Sequence, residues 1–332
     1  MTTRLAINGF GRIGRNVLRA LMESTRTDLS IVAINDLAPP EMAAHLFEFD
    51  TNHGRYRGPV TLGDGTLDVG AGPIRLTAIR DPQKLPWTDV DIVLECTGVF
   101  RHRDKAALHL ANGAARVLVS APSKGADRTV VYGVNHMDLA ASDTIVSNAS
   151  CTTNCLAPVA SVLHDSIGIT RGFMTTVHSY TASQPTLDTA RKTFARSRAA
   201  AENIVPTTTG AAAAVGLVLP ELDGRLDGMA VRVPSPNVSM IDLSFEAARA
   251  TSPDEINAAL RAAAAGPLNG VLDTTDRELV SSDFRHDPHS AIVATDQTRV
   301  LDGQLCRVLA WYDNEWGFSM RMLDTAAAMA NA

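Results

Sequence analysis

The hexapeptide Ser150-Cys151-Thr152-Thr153-Asn154-Cys155 holds the residue types in this chain best suited to covalent chemistry. It follows a β-type run and precedes the apolar-periodic stretch Leu156–Leu163, so Cys151 is expected near a helix N-terminus. The helix dipole there favours the thiolate and lowers its pKa, and the thiolate is the nucleophile. His178, at the end of the strand-like run Phe173–Tyr180, is the expected base beside it. Other uses of these cysteines compete. The i,i+4 spacing of Cys151 and Cys155 suits a metal, but no second Cys/His pair completes a tetrahedral set, so no metal is expected. A disulfide between them has difficult geometry. Inert burial is the default for a free cysteine, and it is the reading for Cys96, Cys155 and Cys306. By itself, a cysteine with a histidine also fits a hydrolase.

A second motif separates those classes. Asn8-Gly9-Phe10-Gly11-Arg12-Ile13-Gly14 contains G-x-G-x-x-G directly after a strand and at the start of a helix. Gly9 allows the tight turn, Gly11 the close approach of backbone to a pyrophosphate, and Gly14 close helix–sheet packing. The uncapped N–H groups of the helix then face the phosphates. Asp36 closes the second strand 22 residues after Gly14. Its carboxylate can accept hydrogen bonds from the adenosine ribose hydroxyls and repel a 2′-phosphate, which favours NAD. A hydrolase has no need of this fingerprint.

The elements that must carry these residues divide near position 150. Before it, strands at Arg4–Asn8, Ile31–Asn35, Asp91–Cys96, Val117–Ser120 and Thr144–Ser147 alternate with helical stretches at Arg12–Glu23 and Asp104–Ala111. Ile13, Val17, Ala20 and Leu21 recur on one face of the first helix. Such alternation predicts an α/β, Rossmann-type domain with a parallel sheet over residues 1–150. Beyond it, β-type runs at Phe173–Tyr180, Met229–Pro234, Ser239–Phe245 and Leu305–Trp311 predict a second, α+β domain on a mostly antiparallel sheet over residues 151–315. Ser252-Pro253-Asp254-Glu255 opens a helix with a capping box. Thr189–Ala201 reads as a long surface loop. The helical stretch Gly317–Asn331, within the segment 316–332, is expected to rejoin the first domain.

Composition sets the outer bounds. The chain has 332 residues, 45% hydrophobic and 20% charged, which suits two globular domains. A net charge of −6 without a long basic run argues against nucleic acid. Met1–Asn8 runs straight into a strand, so no secretory leader is expected, and the apolar stretch Ala211–Pro220 is too short to span a bilayer. With four scattered cysteines, these features point to a reducing cytoplasm.

From Ala6–Arg15 through Ser147–Cys155, Pro206–Gly210 and Arg232–Val238 to Trp311–Asp324, the chain resembles the phosphorylating glyceraldehyde-3-phosphate dehydrogenase family over essentially its whole length. The resemblance implies an NAD-dependent enzyme that oxidises D-glyceraldehyde 3-phosphate to 1,3-bisphosphoglycerate. Cys151 is then the nucleophile, forming a thiohemiacetal and a thioester, and His178 the base. It implies that Arg12 and Ile13 lie beside the pyrophosphate, that Arg80, Thr97, Gly98 and Ser120 line the dinucleotide cleft, and that Asn314 holds the nicotinamide amide. Thr181 and Arg232 are implied to take the substrate phosphate, and Ser150, Thr152, Thr209 and Gly210 the inorganic phosphate. A homotetramer is implied as well.

Three positions depart from the family pattern. Ser183 stands where an aspartate is usual, and Thr189-Ala190 replaces a Leu-Pro pair linked to NAD preference. The loop arginine assigned to the attacking phosphate aligns with Ala195; Arg196 or Arg198 can replace it, and Arg198 is carried among the phosphate-binding candidates. The alternatives are an erythrose-4-phosphate dehydrogenase on the same scaffold, which Asp283–Ser290 and Asp313–Phe318 resemble, and an NAD-binding thiol sensor.

Overall fold

The computed structural model describes residues 2–332, which fall into two compact units. One runs up to Ser150 and takes back Ser319–Ala332, and the other is Cys151–Phe318.

The first unit is built on β1 (Thr3–Asn8), β2 (Leu29–Asn35), β3 (Pro73–Thr77), β4 (Ile92–Glu95), β5 (Arg116–Val119) and β6 (Ile145–Ser147). These pair in parallel in the order β6-β5-β4-β1-β2-β3. Leu5, Ala6 and Ile7 of β1 are all fully buried, as a central strand covered on both faces requires. The order reverses at β1, so a crevice opens at the carboxyl ends of β1 and β4. Helix α1 (Arg12–Glu23) buries Val17, Ala20 and Leu21 of the stripe read from its periodicity, with Leu18 beside them, while Ile13 is half-buried. Two elements depart from expectation. Residues 103–112 form one α turn (Arg103–Ala106) and a 3-10 segment (Ala107–Asn112), closed by Gly113 at φ 105°. Helix α2 (Pro40–Glu48) was not anticipated; a proline opens it, and Ala43, Ala44 and Phe47 are buried.

The second unit opens with helix α3 (Cys151–Ile167). Its sheet contains β7 (Ile169–Ser179), β8 (Val205–Thr208), β9 (Leu226–Val233), β10 (Ser239–Ala247), β11 (Leu272–Thr275), β12 (Ala291–Ala294) and β13 (Leu305–Tyr312). The order is β8-β9-β7-β10-β13-β12-β11, mixed but mostly antiparallel. Helix α4 (Pro253–Ala265) packs on α3. The hydroxyl of Ser252 accepts from the Glu255 N–H at 3.3 Å, but the Glu255 carboxylate turns to Arg249 and Thr251, so the predicted capping box is half made. The loop after β7 is exposed over 186–195, whereas Ala199 and Ala200 are buried, so the end of the predicted surface loop is anchored. Helix α5 (Trp316–Asn331) is capped by Asp313, whose carboxylate accepts from the N–H groups of Glu315 and Trp316 at 2.9 and 2.8 Å. From Ser319 onward it belongs to the first unit.

Candidate active site

In the second unit, α3 and two neighbouring strands assemble the reactive group. The chain leaves β6, passes through Ala149 at φ 56°, a conformation that costs a non-glycine residue energy, and starts α3 at Cys151. Cys151 Sγ lies 3.5 Å from His178 Nε2. His178 on β7 is the direct register partner of Arg232 on β9, so the parallel pairing sets guanidinium beside imidazole. His178 Nδ1 lies 2.7 Å from both Arg232 Nη1 and the Ser179 carbonyl oxygen, and Arg232 Nη1 donates to that oxygen at 2.8 Å. Behind the ring stands Tyr312, edge-on at 6.0 Å between centroids, its hydroxyl bonded to Thr152 and Thr176 at 2.8 Å each.

Burial dominates the protonation states. It pushes His178 down to about 3, with the charges of Arg232 and Arg196 acting the same way and the Ser179 carbonyl opposing. The imidazole is therefore neutral at neutral pH. Burial also pushes the Cys151 thiol up, against the pull of Arg232 and of the Thr152 hydroxyl and N–H at the helix start. This corrects the expected fall in the thiol pKa: desolvating the sulfur costs more than the helix start and Arg232 return. Cys155 is buried and its thiol is likewise raised by burial, as an inert cysteine requires.

The anion candidates are distributed unevenly. The Thr181 and Ser183 hydroxyls lie 2.9 Å apart, and Thr209 Oγ1 accepts from the Ala211 N–H at 3.2 Å. Gly210 is exposed, and a Cβ there would meet nothing within 4 Å. Ser150 is half-buried and immediately precedes the nucleophile. Thr152 is 4% exposed with its hydroxyl committed to Tyr312, which leaves it buried behind the sulfur. Arg198 pairs with Asp188 at 2.9 Å, both side chains 60% exposed. Arg196 instead donates to Thr207 Oγ1 at 2.9 Å, and its charge acts on His178 and Arg232. Of the two loop arginines, Arg196 is the one whose charge reaches His178 and Arg232. Asn314 Oδ1 accepts from the Ser179 and Ser239 hydroxyls at 2.9 Å each, which directs its NH2 group elsewhere.

In the first unit, Gly9, Gly11, Asp36, Arg80 and Thr97 line one cavity of about 370 Å³. Gly9 has φ 94°, and a Cβ there would lie 2.7 Å from the Thr97 nitrogen; one on Gly14 would strike the Gly9 carbonyl oxygen. At Gly11 a Cβ meets nothing within 4 Å, and no side chain caps α1. The cavity wall there is bare backbone at a helix N-terminus, which fits a dinucleotide phosphate. Asp36 accepts from the N–H groups of Phe10 at 2.6 Å and Ala38 at 2.8 Å, which fixes its carboxylate at the cavity edge. Gly98, at φ 71°, is exposed next to Thr97, and Ser120 hydrogen-bonds Cys96 on the cavity wall. Half-buried Ile13 lies in the first turn of α1, and Arg12 there is forked onto Asp50.

Beneath this cavity lies a network that pattern reading missed. The buried Glu95 carboxylate accepts from Asn8 Nδ2 at 2.6 Å, from the Thr97 N–H at 2.9 Å and from the Thr97 hydroxyl. Trp87 Nε1 donates to His109 Nδ1 at 2.9 Å, so Nε2–H of His109 donates to Glu95, also at 2.9 Å. Asn35 Nδ2 donates to Asn8 Oδ1 at 2.8 Å. Asn8, Asn35 and Glu95 are each the last residue of an apolar strand, and that recurrence was the signal available in the sequence.

Two family models match the chain: "Glyceraldehyde 3-phosphate dehydrogenase, NAD binding domain" over residues 3–103 and "Glyceraldehyde 3-phosphate dehydrogenase, C-terminal domain" over residues 150–314. Its relatives include the glyceraldehyde-3-phosphate dehydrogenases of Cereibacter sphaeroides, 66% identical over 329 residues, and of Xanthobacter flavus, 63% identical over 331 residues. That of Zymomonas mobilis is 55% identical over 334 residues, and in all three cases 99% of each chain is covered.

Proposed function

This chain belongs to the glyceraldehyde-3-phosphate dehydrogenase family, and from that premise we propose that it oxidises D-glyceraldehyde 3-phosphate with NAD and inorganic phosphate, using Cys151 as nucleophile. The observation that carries this reading is the 3.5 Å approach of Cys151 Sγ to a neutral imidazole that is flanked by two arginines. Cys151 Sγ adds to the aldehyde carbon, the carbon–oxygen π bond breaks, and the thiol proton ends on the carbonyl oxygen, which becomes the hydroxyl of a thiohemiacetal. His178 takes that hydroxyl proton as the C–H bond breaks, which makes a thioester. When bound, NAD accepts the hydride. A phosphate oxygen then attacks the thioester carbon, the C–S bond breaks, and the acyl phosphate leaves Cys151 as thiolate.

The remaining residues bind and orient. Arg232 and Thr181 take the substrate phosphate, and Arg196, Thr209, Gly210 and Ser150 the attacking one, because arginine forks and hydroxyls match phosphate oxygens. Thr152 holds the start of α3 through Tyr312. Residues 1–150 with the C-terminal helix bind NAD through Gly9–Gly14, Asp36, Arg80, Thr97, Gly98 and Ser120, and Asn314 presents its NH2 to the nicotinamide amide. Residues 151–315 carry the catalysis. The protein acts in the cytoplasm as a homotetramer; exposed Phe173 and Met229 on adjacent strands β7 and β9 support association. No helix among the described residues is long and apolar enough to cross a membrane.

The test is NADH formation that needs both aldehyde and phosphate, compared between glyceraldehyde 3-phosphate and erythrose 4-phosphate by kcat/KM. Cys151→Ser is expected to abolish it. Normal turnover by that variant removes the nucleophile, and a higher kcat/KM for the tetrose removes the substrate.

A further inference from the structure

Asn314 lies where three neighbouring strands of the second sheet end together. Ser179 is the last residue of β7, Ser239 the first of β10, and Asn314 follows β13 by two residues. Antiparallel pairing of β10 with β7 and with β13 brings these three points to the same end of the sheet. The backbone there is pinned by Asp313, whose buried carboxylate accepts from the N–H groups of His286, Glu315 and Trp316 at 2.8, 2.9 and 2.8 Å and from Asn237 Nδ2 at 2.8 Å. What is left to settle is which way round the Asn314 amide lies. Ser179 Oγ and Ser239 Oγ each donate to its Oδ1 at 2.9 Å, and Ser239 Oγ also accepts from the Ser179 N–H at 3.1 Å. With the amide reversed, its NH2 would donate to both oxygens, and the two O–H groups would lose their acceptor. Ser179 is fully buried and Ser239 is 1% exposed, so neither hydroxyl could turn to water instead. Orphaning a buried donor costs its full desolvation, which is more than a hydrogen bond returns on balance. The amide is therefore held with Oδ1 inward. Its NH2 makes no hydrogen bond among the described residues, although Asn314 is only 6% exposed. So deeply set a donor calls for an acceptor on a ligand.

We propose that Ser179 and Ser239 are positioning residues that lock the Asn314 amide with its NH2 outward, so that the site reads the oxygen of the nicotinamide carboxamide. This rests on the reading above, in which Asn314 meets the nicotinamide of NAD. A carboxamide offers both an oxygen and an NH2, and an asparagine able to turn could bind it in either sense. A locked donor binds the oxygen alone. The lock also settles the side chain before the cofactor arrives. Without the serines, ordering that side chain becomes part of NAD binding, which weakens affinity about two- to tenfold for one immobilised side chain. The loss is confined to the nicotinamide end, because the cavity that takes the rest of the dinucleotide is lined by residues of the first unit alone.

The experiment is calorimetric titration of the full chain with three probes. These are NAD, ADP-ribose, which lacks the nicotinamide, and 3-acetylpyridine adenine dinucleotide, which keeps the oxygen but carries a methyl group in place of the carboxamide NH2. The wild type is expected to bind NAD and the acetylpyridine analogue within about fivefold of each other, because the NH2 is not read. The double variant Ser179→Ala, Ser239→Ala should bind both dinucleotides about two- to tenfold more weakly and ADP-ribose within about twofold of wild type. An equal loss for ADP-ribose makes the serines merely structural and overturns the proposal, as does wild-type NAD affinity in the variant. A wild type that favours NAD over the analogue by more than about fivefold reads the NH2, and that overturns the amide orientation. If the double variant fails to fold by circular dichroism, Ser179→Ala decides alone by the same comparison, since Ser239 then keeps its bond to Asn314. NADH formation with affinities unmoved by the substitutions removes this inference and leaves the dehydrogenase reading standing; the expected affinities without NADH formation do the reverse.

Discussion

At the scale of single residues, the sulfur and imidazole meet under burial that opposes charge on both: it raises the thiol and lowers His178 to about 3. Arg232 is the charge that pulls the sulfur back toward ionisation. Alkylation of Cys151 by neutral iodoacetamide is therefore expected to rise with pH through and beyond the ordinary thiol range. Arg232→Ala should slow it at pH 7 by about tenfold for each unit of further rise in the thiol pKa. An alkylation rate already flat above pH 6 contradicts this account. The two loop arginines separate just as sharply. Arg196 faces the cluster, whereas Arg198 forms an exposed pair with Asp188, and such pairs contribute only about 0–1 kcal/mol. Arg196→Ala is expected to raise the KM for phosphate or triose phosphate at least about tenfold, the loss of one charge-assisted bond. Arg198→Ala should leave both within about twofold. Equal effects from the two would return Arg198 to the site.

At the scale of elements, the turn from β1 into α1 divides its glycines by task. Gly9 must turn at φ 94° and pass against the Thr97 backbone, so Gly9→Ala forces apart two strand ends that Glu95 ties together. A loss of about 1–3 kcal/mol, read as a drop in urea midpoint, is expected. Gly11 has an ordinary φ of −73° and open space where a Cβ would go. Gly11→Ala should keep the wild-type midpoint while weakening NAD binding, measured by calorimetry, at least about tenfold by loss of close approach. A stability loss at Gly11, or wild-type NAD affinity there, breaks that division. The same elements show what sequence could and could not supply. Arg12–Glu23 was legible because Val17, Ala20 and Leu21 repeat at helical spacing, and β1 because the apolar run Leu5–Ile7 leads straight into the glycine motif. Pro40–Glu48 escaped notice because two prolines and a short stripe of Ala43, Ala44 and Phe47 look like a loop. Position at a helix start was legible for Cys151, but its desolvation depends on strands far along the chain, and no local pattern encodes that. Trp87, Glu95 and His109 are joined across 14 and 22 residues for the same reason.

At the scale of the whole molecule, buried neutral histidine sets how stability responds to acid. A histidine whose folded pKa lies below its unfolded value binds fewer protons in the native state. Its contribution is complete above the unfolded value and is lost as pH falls toward the folded one. For His178 that window runs from about 6.5 down to about 3. His136, lowered by burial against the pull of Asp324 and Asp138, acts in the same direction in the first unit. Asp127 also lies below its usual range: burial pushes it up, but the N–H groups and hydroxyl of Ile145 and Thr144, with Arg103, outweigh that, so its contribution is lost only below about pH 4. Two regimes follow, a histidine slope first and a carboxylate slope below it. Between pH 7 and pH 5 the His178 share is roughly 2 kcal/mol, from one proton per molecule at about 1.4 kcal/mol per pH unit. Urea midpoints at pH 7, 5.5 and 5 should fall for the wild type and fall less for His178→Gln, which has no proton to gain there. The two proteins should then converge in slope below pH 3, where His178 is protonated in both native and unfolded chains. Parallel midpoint curves from pH 7 to 5 mean that His178 gains its proton equally in the folded and unfolded chains, and the desolvated imidazole on which this account rests would not exist.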